Sequence, residues 1–368
     1  MSKQNVKASL LLLSAGSLVG QNIVQALGKR RSTVRLLAVN SVVEEPSLQD
    51  FDEVRLVPPT SNDIQSAHAQ AVANWLEEQL PSLVIPCRDE DVAFLARFSE
   101  EHPYLAKNFL CGALRPAEIM LDKWQSWLMS CDYNLPFAPS VLPTDSDTLE
   151  EFSQKYGFPL IAKPRSGFAS KDVTLISNLE QLINLVGTPD MMVQKYLGKS
   201  NDPDKYLLSV KNKGLPLFHS FESDKHSIQI MISQAGELCG IFTTLHKMRN
   251  GISVEVKEDK SEDAKKLGAQ CAAVFSKLGW KGPVNIQCQR TLEGELSIYE
   301  FNGRFTGATA ARALLGFDEV GIALQQFAGI HIDSPFVARA TNVVRQPTSR
   351  AVPSALRVSL DTKGYWNR

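Results

Sequence analysis

A short segment near the end of the sequence, YEFNGRFTG at residues 299–307, carries polar side chains at alternate positions. Glu300, Asn302 and Arg304 alternate with aromatic residues, so in a β-strand the three polar groups share one face. A carboxylate, an amide and a guanidinium on one face could bind a cation together with an anion. The same alternation is typical of the solvated face of an antiparallel sheet. The segment alone leaves both interpretations open.

The preceding strand supplies a partner for this segment. Glu293-Gly294 predicts a two-residue hairpin turn in PVNIQCQRTLEGELSIYEFN. Counting back from that turn places residue 290 opposite residue 297, and it places Gln287 opposite Glu300. Directly opposed residues share a face, with Cβ atoms about 4.5–5.5 Å apart.

The same count places Asn285 opposite Asn302, so the hairpin displays a patch of oxygen-bearing side chains that includes Gln287 and Glu300. Mg²⁺ prefers oxygen ligands and is usually held by one or two carboxylates together with substrate phosphates and water. One carboxylate and several amides would bind a metal weakly by themselves, which favours a metal shared with a nucleotide. Arg304, beyond the patch, could hold a phosphate or a carboxylate through its planar fork.

Two upstream lysines could add positive charge to such a site. Lys163 ends the apolar strand FPLIA and precedes a loop that contains Ser166, Gly167 and Ser170. Small residues with free backbone N–H groups can surround a phosphate, and a lysine adds a point charge. Lys123 lies at the start of a helix. Lone lysines are usually solvated, so each is weak evidence by itself.

The elements that must position these groups fall into two regions. Residues 1–112 alternate apolar strands with helices and predict a βαβ-type domain with a mostly parallel sheet. Its Gly16-x-x-x-Gly20 turn lacks the third glycine of a dinucleotide fingerprint, and Asn40 stands where an acid is expected. A tight strand-to-helix turn is therefore favoured over a phosphate site. From residue 113, hairpins and helices predict an α+β body.

Bulk properties exclude several classes of protein. The chain has 368 residues, a formal net charge of −1 and 43% hydrophobic residues, which gives no reason to expect nucleic acid or a membrane surface as the partner. Its six cysteines contain no C-x-x-C pair, so we expect reduced, mostly buried thiols. The apolar run near the N-terminus is short for a signal peptide, and no segment approaches the roughly 20 apolar residues of a membrane span. We expect a cytoplasmic protein.

The ordered set of segments LDKW, FPLIAKPRSGFASKDV, VQKYL, GPVNIQCQ and YEFNGRFTG resembles the ATP-grasp superfamily, especially the branch like the carbamoyl phosphate synthetase large subunit. The resemblance implies an α/β and α+β architecture in which a Rossmann-like pre-ATP-grasp domain precedes a two-lobed ATP-grasp domain. The domains would span residues 1–112 and 113–330, with a lid lobe at about 125–195. Residues 331–368 would form a C-terminal extension.

The resemblance also implies roles for individual residues. The ATP-binding set would be Lys123, Lys163, Ser166, Gly167, Ser170, Gln194, Lys195 and Leu197. The Mg²⁺ ligands would be Gln287, Glu300 and Asn302, with Mn²⁺ as a substitute metal. Arg304 would steady the transferred phosphate or an acyl phosphate, and Arg249 in HKMRNGISV would lie near the same intermediate.

Several positions depart from the pattern of the superfamily. Lys195 stands where such hinges often carry Glu, Lys225 stands where many relatives have an acid, and Asp172 replaces a lid glycine. The acid that would hold the ribose is open between Asp202 and Asp204. The first metal ligand is a glutamine rather than a glutamate, a substitution that the synthetase branch tolerates.

The resemblance implies a ligase that uses ATP and Mg²⁺ to convert a carboxylate into an acyl phosphate and to join it to an amine or a similar nucleophile such as a thiol. The partners would be small-molecule carboxylates and amines, and the superfamily also suggests a homodimer. The alternatives are an ATP-binding sensor or accessory subunit without turnover, and an NAD(P)-dependent oxidoreductase. Arg312 is open between a substrate-carboxylate anchor and the exposed face of a helix.

Overall fold

The computed structural model describes residues 8–61, 63–167, 171–198, 201–213, 225–249, 252–330, 340–346 and 349–368. The N-terminal region builds a parallel sheet with helices on both faces. Its elements are β1 (Ala8–Leu13), α1 (Leu18–Leu27), β2 (Val34–Asn40), β3 (Glu53–Leu56), α2 (Ala67–Gln79), β4 (Leu83–Pro86), α3 (Asp89–Glu101) and α4 (Pro103–Ala106). The strands lie in the order β3-β2-β1-β4. Short 3-10 helices occupy Gly28–Thr33 and Pro46–Asp50.

The turn between β1 and α1 is closed by side chains of its own domain. The backbone N–H of Gly16 donates to Asn40 Oδ1 at 3.0 Å, and Ser47 Oγ donates to the Gly16 carbonyl at 2.9 Å. A Cβ at Gly20 would lie 2.0 Å from the Ala15 carbonyl oxygen, so glycine is required for close helix–strand packing. These contacts agree with the tight strand-to-helix turn that the sequence favours.

A small four-stranded sheet forms a separate lobe in the middle of the chain. Its elements, with the two helices that precede them, are α5 (Leu114–Leu121), α6 (Lys123–Asp132), β5 (Ser140–Val141), α7 (Ser146–Tyr156), β6 (Leu160–Pro164), β7 (Thr174–Ile176), α8 (Leu179–Ile183), β8 (Met191–Lys195) and α9 (Asn201–Lys213). The strand order is β5-β8-β6-β7, and every pair is antiparallel. Helices α7 and α8 bury Leu149, Phe152 and Leu182 against one face of this sheet.

The large sheet follows. Its elements are β9 (Lys225–Ile232), β10 (Leu238–Arg249), β11 (Ile252–Glu258), α10 (Glu262–Lys277), β12 (Gly282–Arg290), β13 (Leu296–Asn302), α11 (Thr309–Leu314) and α12 (Glu319–Ala328). The strands lie in the order β13-β12-β9-β10-β11. Helix α10 packs its apolar stripe against one face of the sheet, as its 3.6-residue periodicity predicts: the stripe comprises Ala264, Leu267, Cys271 and Val274, with Leu278 partly buried beside it.

The two regions share continuous cores. One buried cluster joins Leu11 of β1 to Phe301 of β13, and a second joins Leu10 to Phe305. At the predicted boundary, a Cβ on Gly112 would lie 2.4 Å from the Trp280 Cα, so glycine permits the close contact between the two backbones.

The hairpin of β12 and β13 has the predicted central register but a different turn. Gln287 pairs with Glu300 and Asn285 pairs with Asn302, which confirms the count. Near the turn the prediction was wrong, because Arg290 pairs with Leu296 rather than with residue 297. The loop is longer by one residue than a two-residue turn, and a β-bulge at Tyr299 compensates for the offset.

The strand also ends earlier than the alternation in YEFNGRFTG suggested. Strand β13 stops at Asn302, and Arg304 lies in the following bend. Phe301 and Phe305 accordingly enter different buried clusters instead of sharing one face.

The C-terminal extension adds a strand to the large sheet and a strand to the N-terminal sheet. Strand β14 (Asn342–Val344) pairs with β11, helix α13 (Ser354–Lys363) packs on the N-terminal region, and β15 (Tyr365–Asn367) pairs antiparallel with β3. Arg350 also forms a two-bond ion pair with Asp50, at 2.6 and 2.7 Å.

The six cysteines are all free thiols, and four of them are buried, as the scattered spacing predicted. No helix within the described part of the chain is long and apolar enough to cross a membrane.

Candidate functional site

One face of the large sheet carries an array of polar side chains. Two rows cross neighbouring strands: Glu300, Gln287, Ser227 and Thr244 in the first, and Asn302, Asn285 and Gln229 in the second. Within the array, Asn285 Nδ2 donates to Ser227 Oγ at 2.8 Å and to Gln229 Oε1 at 2.9 Å. Most of these groups are buried, so they are held in place rather than solvated. The interpretation as a solvated sheet face is therefore wrong.

Glu300 meets Lys123 at the edge of this array. The Lys123 Nζ lies 3.3 Å from Glu300 Oε1 and donates to the Gly167 carbonyl at 3.0 Å. Lys123 is the first residue of α6, whose N-cap is Asp122, and its own backbone N–H donates to the Arg165 carbonyl at 2.8 Å. Helix α6 and the loop after β6 therefore position the ammonium against the carboxylate.

Lys163 reaches the array from the small sheet. It is buried, and its Nζ donates to Gln194 Oε1 at 2.7 Å and to the Tyr299 carbonyl at 3.1 Å. Burial lowers the pKa of Lys163 to about 7. The negative charge of Glu300 opposes this decrease, whereas the positive charges of Lys123 and Lys225 contribute to it. Near neutral pH this lysine is close to half neutral.

The segment VQKYL contributes one side chain to this contact. Gln194 is buried, and its Nε2 donates to Ser140 Oγ at 3.0 Å, so the amide is oriented with Oε1 toward Lys163. Lys195 is the next residue of the strand and points to the opposite face, where its Nζ lies 5.9 Å from the centre of the Tyr156 ring. Leu197 is buried just after the strand.

Arg304 joins the array to the N-terminal domain. Its Nη2 lies 2.6 Å from Asp89 Oδ2, at the start of α3, and 3.0 Å from Asn302 Oδ1. Burial lowers the pKa of Arg304, but the nearby Asp89 carboxylate raises it by more, so the pKa is raised overall. Three buried polar atoms here have no hydrogen-bond partner within the described part of the chain, namely Arg304 Nε, Asn302 Nδ2 and Asp89 Oδ1. Such orphaned atoms are typical of a place where a ligand or water completes the network.

Other predicted residues are exposed or lie outside the described part of the chain, and of these Gly167 contacts the cluster through its carbonyl. Arg249 is exposed at the end of β10, and Ser166 and Gly167 are exposed in the loop after β6. Ser170 lies outside the described residues. Asp204 is exposed on α9.

The remaining departures from the superfamily pattern take different positions. Asp172 is exposed and has a left-handed backbone with φ 59°. The Lys225 Nζ lies 5.7 Å from the centre of the Tyr299 ring, so this lysine belongs to the cluster. For Asp202 the structure describes the backbone alone, within α9.

Of the two interpretations of Arg312, the exposed helix face is wrong, because its side chain is completely buried. Its Nη2 lies 2.6 Å from Glu319 Oε1 and also donates to the hydroxyls of Thr306 and Thr309. Burial raises the pKa of Glu319, and the guanidinium of Arg312 opposes that change. Most of the donors of Arg312 are therefore committed inside the protein.

Sequence reasoning missed Asp89 and Tyr299. The signal for Asp89 is the run Arg88-Asp89-Glu90-Asp91 directly after the parallel strand β4, where ligand-binding groups often lie. Tyr299 had been placed on the aromatic face, whereas the bulge presents its carbonyl to Lys163.

No protein-family model matches the chain, and no curated protein matches its sequence. Solved structures do match its fold. The N5-carboxyaminoimidazole synthetase of Staphylococcus aureus, solved with ADP, has a TM-score of 0.67 at 13% identity, over 90% of this chain and 80% of the other. The carboxyaminoimidazole ribonucleotide synthase of Aspergillus clavatus, complexed with ATP, has a TM-score of 0.62 at 12% identity, over 93% and 81%.

The biotin carboxylase domain of the Hydrogenobacter thermophilus 2-oxoglutarate carboxylase is also similar, with a TM-score of 0.63 at 14% identity over 88% of this chain and 70% of that domain. That structure is a dimer in complex with Mg-ADP, ADP and bicarbonate. These likenesses confirm the predicted fold class, in which an N-terminal βαβ domain precedes a domain with the ATP-grasp fold. At such identities they establish the fold.

Proposed function

We propose that the protein is an ATP- and Mg²⁺-dependent ligase that activates a carboxylate as an acyl phosphate and joins it to an amine. The observation that carries the proposal is the convergence of Lys123, Lys163 and Arg304 on the face that displays Gln287 and Glu300. Cations from two lobes surround a row of oxygen ligands, as phosphoryl transfer requires. The solved structures of the same fold that hold ATP or ADP support this proposal.

The proposed reaction needs no nucleophilic side chain. A carboxylate oxygen of the substrate attacks the γ-phosphorus of ATP, and the bond from that phosphorus to the bridging oxygen breaks, releasing ADP. An amine then attacks the acyl carbon, phosphate departs with the bonding electron pair, and the nitrogen loses a proton. Lys123 and Lys163 would neutralise phosphate charge, while Arg304 would hold the carboxylate and the acyl phosphate.

The hairpin residues have the donor set for the metal. Gln287, Glu300 and Asn302 present one carboxylate and two amide oxygens, and no cluster of three or more His, Cys, Asp or Glu side chains suited to a metal occurs in the described ranges. A hard cation shared with nucleotide phosphates fits this set. Bound there, Mg²⁺ would neutralise the phosphates and draw electrons from the transferred phosphorus. Lys123 now pairs with Glu300 and would turn to the phosphates.

The proposal also assigns the exposed residues Ser166 and Gly167 to a loop that covers the phosphates. It assigns Leu197 to a contact with the adenine. The proposal includes Arg249 as a further contact for the acyl phosphate, while its exposed position gives it the least support in the set. We also carry forward a homodimer, which light scattering on the purified protein would test.

A screen for ADP release tests the proposal. The protein is incubated with ATP, Mg²⁺ and pools of carboxylic acids and amines, and ADP is measured by a coupled assay, with mass spectrometry of the product. We expect ADP above background in at least one pool, and loss of that signal in Glu300→Ala. Glu293→Ala, an exposed residue in the loop of the same hairpin, is the matched control and should retain activity.

The alternative of a nucleotide-binding sensor gives a different outcome. Tight ATP binding with no pool releasing ADP above the Glu300→Ala level would contradict the ligase and support the sensor. An NAD(P)-dependent oxidoreductase receives no support, because the Gly16 N–H in the β1–α1 turn is bonded to Asn40.

A further inference from the structure

The C-terminal extension brings an arginine to the edge of the large sheet. Strand β14 pairs with β11, with Val343 opposite Val256. Arg345, the first residue after β14, continues this pairing, because its N–H donates to the Val254 carbonyl at 2.9 Å. The backbone of Arg345 is therefore fixed by the sheet. Its guanidinium is half-buried, and Nη1 donates to the Ser253 carbonyl at 3.2 Å.

Arg345 has no acidic partner in the described part of the chain. Burial lowers the pKa of Arg345, and among the described residues no neighbouring carboxylate opposes this change. Two other arginines contrast with it, because Arg312 pairs with Glu319 and Arg350 pairs with Asp50. Burying a charge without a counter-ion is costly, so such a group is typical of a site where an anion binds.

A histidine, His246, lies next to the residue that Arg345 contacts, Ser253. His246 Nδ1 lies 2.9 Å from Ser253 Oγ, and burial together with the charges of Arg312 and Arg345 lowers the pKa of His246 to about 3. The imidazole is thus neutral, and both of its nitrogens are bonded, since Nε2 lies 2.9 Å from Thr244 Oγ1. Histidine therefore supplies neither a charge nor a counter-ion here.

Arg345 lies close to the loop that carries the proposed catalytic arginine. A Cβ on Gly307 would lie 3.8 Å from the Arg345 Nη2, which places the guanidinium beside that loop. Gly307 follows Arg304 by three residues, so the Cα atoms of these two residues lie within about 11 Å of each other. Arg345 therefore lies beside the segment that carries Arg304.

We propose that Arg345 binds a second carboxylate of the substrate, distinct from the carboxylate that is phosphorylated. The proposal rests on the proposed ligase function and deepens it, because it assigns the substrate to the dicarboxylates and acidic amino acids. Within the described ranges Nη1 is bonded and no bond is found for Nη2 or Nε, so the planar guanidinium can hold a carboxylate through two bonds. The C-terminal extension then sets substrate specificity for a site built by the rest of the chain.

Direct binding tests the assignment without turnover. The purified protein with Mg-ADP is titrated with succinate, L-glutamate, L-aspartate and inorganic phosphate by calorimetry. We expect at least one dicarboxylate or acidic amino acid to bind, and its affinity to fall at least about tenfold in Arg345→Ala. Arg350→Ala, in the same extension, should bind the same compound like the wild type. Arg345→Lys should recover part of the affinity, because it keeps the charge and loses the fork.

Several outcomes would overturn the proposal. Equal affinity in wild type and Arg345→Ala would do so, as would binding of phosphate alone or of no compound at 10 mM (on the order of the weakest specific affinities). Unchanged Mg-ADP affinity in Arg345→Ala shows that the variant is folded. If Arg345→Ala does not fold, Arg345→Lys and Arg345→Gln are used in its place. The ligase proposal fails separately, through a lack of ADP release with intact dicarboxylate binding. If both hold, KM for the acid should rise at least about tenfold in Arg345→Ala with little change in kcat.

Discussion

Replacing Lys163 by methionine should abolish a proton uptake that accompanies nucleotide binding. In the free protein Lys163 has a pKa of about 7, and its Nζ bonds two acceptors, Gln194 Oε1 and the Tyr299 carbonyl. A neutral amine has two hydrogens and can satisfy both. The third donor that protonation creates would be available to a phosphate oxygen.

The magnitude follows from the two protonation states. At pH 8 a group with a pKa of about 7 is roughly 90% neutral, by the ordinary titration relation. A nucleotide phosphate next to Nζ favours the ammonium and returns the pKa toward its usual range. Binding of Mg-ADP at pH 8 should therefore take up about 0.9 proton, and about 0.5 proton at pH 7.

Calorimetry in buffers of different ionisation enthalpy measures this uptake directly. The observed binding enthalpy should vary with the buffer for the wild type at pH 8, where the ADP phosphates are already ionised. The slope should disappear in Lys163→Met. Lys155→Met is the matched control, because that exposed lysine lies on α7, which packs on the same small sheet, and it is not in the ATP-binding set. A buffer-independent enthalpy in the wild type would refute the reasoning.

The same lysine predicts the pH dependence of stability. The pKa of Lys163 is lower in the folded protein than in the unfolded chain, so the unfolded chain binds more protons between about pH 7 and pH 10.5. The free energy of unfolding should rise with pH across that window because of this group. Lys163→Met should exceed the wild type in stability by a few kcal/mol below pH 7, since each pKa unit is worth about 1.4 kcal/mol, and the advantage should vanish toward pH 10.5.

Two further substitutions test the packing of the site. Arg312→Met should lower the free energy of unfolding by about 3–5 kcal/mol in urea titrations, because it leaves Glu319 buried without a counter-ion. The double variant with Glu319→Gln should recover much of that loss. An unchanged urea midpoint in the single variant would contradict this expectation. Gln194→Ala should weaken Mg-ADP binding several-fold, because it removes the amide that holds Lys163. Gln154→Ala removes an exposed amide of α7, on the same small sheet, and should leave that binding unchanged. Equal effects of the two substitutions would contradict the role of the Gln194 amide.

Local patterns predicted more of this structure than long-range contacts did. The strand alternation, the helical stripe of α10 and the ordered segments were enough for the architecture, because each depends on neighbours in sequence. The contact of Arg304 with Asp89 joins residues 215 positions apart, and neither residue type nor spacing identifies the partner. The exposed interpretation of Arg312 failed for the same reason, since arginine is usually exposed and Glu319 becomes its partner through the fold.

The bulge at Tyr299 explains both the success and the error in the hairpin. The count of opposed residues assumed a two-residue turn and an unbroken ladder, and each assumption was wrong by one residue in compensating directions, so Gln287 still faces Glu300. A bulge leaves the extra residue outside the regular ladder, which frees its carbonyl for another donor. Lys163 of the small sheet donates to that carbonyl at 3.1 Å, while Glu300, the next residue, pairs with Lys123. A regular strand would keep the Tyr299 carbonyl within the ladder, so the irregularity is what allows the small sheet to contact the large one where we propose that phosphate binds.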